Sequence, residues 1–137
     1  MGAWGTGVFE DDTALDFIDE QLLPSPDPHA TMRAAFEAAN AADYVDYEMG
    51  HAVLVSAAAL RALRTGRPFE DDEDDDWADW RRAHAALDTT DLSRLAAQAC
   101  RRVAAAGSEL AELWAENDEL YPEWKAGVES LASAVDG

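Results

Sequence analysis

Thiols are nearly absent from this chain. Cys100 stands alone, which excludes an intramolecular disulfide and a thiolate metal cluster built from one copy. Lysine is as scarce: Lys125 is the only one, and Lys plus Arg reach 10 against 29 Asp plus Glu. A formal charge of −19 repels nucleic-acid phosphates and anionic lipid headgroups, so neither is an expected partner. No apolar run reaches the roughly 20 residues that span a bilayer. The N-terminus has no basic stretch leading into an apolar one, so no secretion signal is expected and the cytoplasm is the expected compartment. Gly2 with Thr6 fits an acylation pattern, but Glu10, Asp11 and Asp12 follow at once, and one acyl chain without a basic patch anchors only weakly.

Other signatures are missing too. Alternating β-branched runs are lacking, so no strand is expected. The glycines of the opening nine residues lead to no Gly-Lys-Ser/Thr phosphate loop. No serine sits in a nucleophile-elbow glycine pattern. Cys100, in Ala97-Gln98-Ala99-Cys100-Arg101, reads as a buried helical thiol rather than a nucleophile.

What is present is helical. Hydrophobic residues make up 48% of the 137, enough for the core of one domain. The sequence predicts an all-α fold: a compact bundle of about five helices spanning 1–137, with an irregular Gly-rich lead-in over 1–10 and an acidic loop over 69–77. Asp11 or Asp12 can cap a first helix carrying Leu15, Ile18 and Leu22, and Pro24-Ser25-Pro26 ends it. Asp27 followed by Pro28 starts a second, with Met32, Ala35, Phe36 and Ala39 inward. A third, Ala-rich helix is expected over about 43–65, stopped by Gly66 and Pro68. At about 100° per residue, Asp43, Asp46, Gly50, Arg61 and Arg64 fall on one narrow side, and nearly all else is apolar. Such a helix belongs at the centre. A fourth helix begins at Thr90 or Asp91 and either breaks at Gly107, with Ser108 capping anew, or runs on. A last one starts near Pro122 and turns Trp124, Val128, Leu131 and Val135 inward.

Two constellations could carry function. The first is Glu48-Met49-Gly50-His51: a Glu-x-x-His step puts both side chains on one helical face, as carboxylate-bridged di-metal bundles require. The helical wheel turns Glu48 inward, where a carboxylate must be paired, protonated or metal-bound. A divalent metal held by Glu48 and His51 is therefore one reading, although no second Glu-x-x-His exists; Tyr44, Tyr47 or an arginine could instead pair with Glu48, or Glu48 is simply exposed and the wheel misjudged. The second is the run Glu70 to Asp76. It fails the calcium-loop pattern: counted from Asp72, position six is Trp77 and position twelve is Ala83. As a docking strip, Asp74, Asp75 and Asp76 would meet a basic protein or peptide, with Trp77 or Trp80 as anchor.

The opening Met1-Gly2-Ala3-Trp4-Gly5-Thr6-Gly7-Val8-Phe9 with Asp11-Asp12-Thr13-Ala14-Leu15-Asp16-Phe17 resembles a bacterial family, the domain of unknown function 4259 family. Leu63-Arg64-Thr65-Gly66-Arg67-Pro68 and Ser108-Glu109-Leu110-Ala111-Glu112-Leu113-Trp114 are also similar, in the same order. The resemblance implies a bacterial one-domain protein and brings no activity with it. Members often carry a Glu near Ala57-Ala58-Ala59-Leu60, which this chain lacks. The leading expectation is a non-enzymatic acidic interaction or neutralising partner, with no cofactor. The alternative is a metal-binding bundle or metal-dependent enzyme centred on Glu48 and His51.

Overall fold

The computed structural model describes residues 11–65 and 75–136, so the lead-in over 1–10 and the part of the acidic run before Asp75 lie outside the described residues. Among these residues the fold is all helical, with an isolated parallel bridge between Val45 and Ser108 and no strand. Seven α-helices follow in order: α1 Asp12–Phe17, α2 Pro28–Ala41, α3 Tyr47–Thr65, α4 Asp75–Ala83, α5 Ser93–Ala104, α6 Glu109–Ala115 and α7 Tyr121–Asp136.

Side-chain caps explain three of the helix starts. Asp11 caps α1 by accepting from the Thr13 amide at 2.7 Å. Asp27 caps α2 ahead of Pro28, and Ser108 caps α6. Gly107, at φ 84°, takes the left-handed conformation that ends the α5 run and opens α6. The helix count exceeds the expected five for two reasons. The chain breaks at Gly107, and Asp75, Asp76 and Trp77 form the first turn of α4 rather than a loop.

Past Phe17, α1 continues as a π turn over Ile18–Leu22, closed by the Leu23 amide on the Ile18 carbonyl at 3.0 Å. The apolar spacing accounts for it. Ala14, Ile18 and Leu22 lie four apart and are each at most 2% exposed. Four α-helical steps overshoot a full circle by about 40°. Four π steps, at about 4.4 residues per turn, fall short by about 33°. The wider turn cancels the drift and keeps all three on the core.

α3 is central, as expected, and packs against α1, α2, α5, α6 and α7. Every residue from Val53 to Leu60 is buried. Gly50 packs against α6: a Cβ there would lie 2.6 Å from Leu110 Cδ1, so a larger residue would push Leu110 away. The α2–α3 and α5–α6 connections are tied by Val45 N–H to Gly107 O at 2.9 Å and Glu109 N–H to Val45 O at 2.8 Å. α7 turns Trp124, Val128, Leu131 and Val135 inward, as its spacing predicts.

Two arginines close helix ends. Arg64 donates to the carbonyls of Thr89 and Val135, each at 2.7 Å, and to the hydroxyls of Thr89 and Ser93. Arg102 donates to Asn40 O and Ala42 O at the end of α2. Cations suit the negative ends of helices.

Candidate functional site

A buried polar cluster gathers where α1 meets α3. Asp11 is 2% exposed and His51 is 6% exposed. Asp11 Oδ1 accepts the Thr13 amide, and its Oδ2 accepts the Tyr47 hydroxyl. His51 Nε2 lies 3.4 Å from Asp11 Oδ1 without a hydrogen bond, and neither ring nitrogen of His51 has a partner among the described residues. The Tyr47 ring stands edge-on to the imidazole, centroids 4.6 Å apart. Glu109 of α6 accepts the Tyr47 amide at 3.0 Å.

The electrostatics follow from burial. Desolvation holds His51 below the ordinary histidine pKa, with the Asp11 carboxylate pulling the other way. Burial, and then the bond to Asp11, push the Tyr47 phenol well up. At neutral pH the ring is uncharged and the phenol keeps its proton. The carboxylate is satisfied by an amide and a hydroxyl. The Tyr47–Asp11 hydrogen bond fastens the start of α1 onto α3, while His51 packs beside it with both ring nitrogens unbonded among the described residues.

Glu48 departs from expectation. Its side chain is exposed, while His51 on the same helix is buried. The wheel assigned the outward side from Asp43 and Asp46, but both precede the first residue of α3, Tyr47. Asp46 instead accepts the Met49 amide at 2.9 Å. Gly50, also placed outside by the wheel, faces Leu110. With those three removed, only Arg61 and Arg64, near the far end of α3, mark the outward side. Among the described residues no group of three or more His, Cys, Asp or Glu is placed to hold a metal ion.

Glu48 borders a cleft of about 220 Å³ with Thr13, Asp16, Phe17, Glu20 and Gln21. A second cleft, of about 460 Å³, lies beside it and is lined by Ala30, Thr31, Ala34, Ala35 and Ala52 together with the same Phe17 and Gln21. The acidic residues project from α1 and its π turn and the alanines from α2. α3 contributes to both walls, since Glu48 and Ala52 are one helical turn apart.

Of the residues expected to dock a partner, Asp74 lies outside the described residues. Asp75, Asp76 and Trp77 begin α4. Trp80 is only 6% exposed, so the aromatic expected as a free anchor is packed inward, against His84. It borders a third cleft with Asp19, Leu23, Pro24 and Asp79. Cys100 is buried, its thiol pushed up to about 12 by desolvation, in keeping with a structural role.

Residues 2–127 match the family model described as Domain of unknown function (DUF4259). The chain belongs to that family. No curated protein and no solved structure matches it. The DUF4259 match takes in the Asp11–Tyr47–His51 cluster and both adjoining clefts, and ends within α7.

Sequence reasoning singled out His51 but not the neighbours it packs against, Asp11 and Tyr47. Asp11 was legible only as a helix cap. The available signal was the four-residue step from Tyr47 to His51, which places the two rings on one face.

Proposed function

We propose that this DUF4259 protein is a non-enzymatic, acidic interaction partner of a basic protein, acting in the bacterial cytoplasm. The observation that carries the reading is the formal charge of −19. The distribution of the cations supports it. Arg33, Arg82 and Arg101 are ion-paired to neighbouring carboxylates, and Arg64 and Arg102 are turned to backbone carbonyls. Meanwhile Asp12, Asp16, Asp19, Glu20 and Glu48 are exposed. A field of one sign speeds encounter with an oppositely charged protein and repels like-charged ones. A membrane-embedded role draws no support, because among the described residues no helix is long and apolar enough to cross a bilayer.

The test is binding to polylysine and to a small basic ribonuclease over a salt series. Association is expected at about 50 mM salt, weakening steadily towards 0.5 M as screening sets in. Neutralising Glu70 to Asp76 with Gln and Asn should weaken it further. A chain that binds neither probe at low salt is not an acidic docking partner.

A further inference from the structure

We propose that the paired clefts beside the π turn form one groove for a basic amphipathic helix of a partner protein. The inference rests on the acidic-partner reading and gives it a surface and a chemistry. Phe17 and Gln21 border both clefts, so the two adjoin across this pair of side chains on the first helix. The two ends differ in character. At one, Asp16, Glu20 and Glu48 supply three exposed carboxylates, and among the described residues no ion pair engages any of them. At the other, the wall is Ala30, Ala34, Ala35 and Ala52, with the threonine hydroxyl of Thr31 already bonded to Ser25. Half-buried Phe17 sits between them.

This asymmetry selects the occupant. A fully basic, unstructured segment would satisfy the carboxylates and leave the alanine wall bare. A purely apolar helix would do the reverse. A helix with apolar residues at i, i+3, i+4 and i+7 and Arg or Lys along one edge meets both, in the manner of helix-in-groove recognition. Alanine walls let the incoming helix come close, and the Phe17 ring offers an apolar surface beside which a guanidinium can lie while reaching Glu20 or Glu48.

The test uses the full chain and two peptides of about 15 residues with identical composition, one patterned as a Leu/Arg amphipathic helix and one scrambled. Affinities are read by calorimetry and contacts by amide chemical shifts. The patterned peptide is expected to bind at least about tenfold tighter, with shifts centred on Phe17, Gln21, Ala34 and Ala52. The decisive variant is Ala34→Glu at an exposed position. It makes the protein more negative yet fills the groove, so the patterned peptide should lose about tenfold while the scrambled one holds or gains. Glu48→Gln should weaken both slightly. If the peptides bind equally and Ala34→Glu weakens neither, the groove is refuted and the acidic-partner reading stands. If neither peptide binds at low salt, both readings fail.

Discussion

Gly50→Ala should lower stability in the native protein and raise it once Leu110 is cut back. At Gly50 two terms oppose each other. Alanine is favoured over glycine within a helix by up to about 1 kcal/mol. Against this, the new Cβ would lie 2.6 Å from Leu110 Cδ1 and 3.1 Å from its Cγ, whereas carbon atoms at ease sit about 3.5–4.0 Å apart. Leu110 is 1% exposed, so it has little room to retreat, and overpacking of this kind costs about 1–3 kcal/mol. The net expectation is a loss of about 1–2 kcal/mol. Leu110→Ala alone should cost about 2–5 kcal/mol through the cavity it leaves. In that background the clash is gone, and Gly50→Ala should stabilise by up to about 1 kcal/mol. The four proteins form a double-mutant cycle, read by urea denaturation with circular dichroism, with an expected coupling of about 2 kcal/mol. A Gly50→Ala protein as stable as its parent, or a cycle with no coupling, would refute the claim that this glycine exists to admit α6.

Three further outcomes follow from the same geometry. His51 is held neutral by burial, so its folded pKa lies below its unfolded one. Its contribution is therefore whole above about pH 6.5 and is lost as pH falls through the lowered folded value; urea midpoints measured from pH 7.5 to 5 should drop less for His51→Gln than for the parent. Arg64→Met strips donors from the Thr89 and Val135 carbonyls and should cost about 2 kcal/mol, with Arg64→Lys recovering little because an ammonium cannot reproduce the fork. Glu48→Gln, at an exposed position, should leave the melting midpoint within about 2 °C in EDTA. A transition-metal rise that disappears in that variant would instead place a cation on Glu48.

The helices that announced themselves were those with strong local punctuation. Asp27-Pro28 and the inward stripe of α7 could be read directly, because capping and periodicity act within a few residues. Glu48 was misplaced because its wheel depended on where α3 begins. Asp46 caps that start by accepting the Met49 amide, which leaves it outside the helix on which the wheel had counted it, and Val45 just before it is bridged to Ser108. The Asp11–Tyr47–His51 cluster was hidden for a similar reason. Asp11 and Tyr47 are 36 positions apart, and nothing local marks them as neighbours. The grooved face was equally invisible, since alanines on α2 and carboxylates on α1 join only through packing.

The π turn at Ile18–Leu22 also bears on how the length of this chain can vary. Insertions and deletions are ordinarily absorbed in connections, where backbone has room to adjust. Here a helix carries a surplus residue within its own span. Removing one of the exposed positions Asp19, Glu20 or Gln21 would let the segment relax to ordinary α geometry and still deliver Ile18 and Leu22 to the core, now three apart rather than four. A gap placed inside this helix is therefore a natural feature of an alignment, and a chain shortened there would keep its packing while reshaping the clefts that Phe17 and Gln21 border.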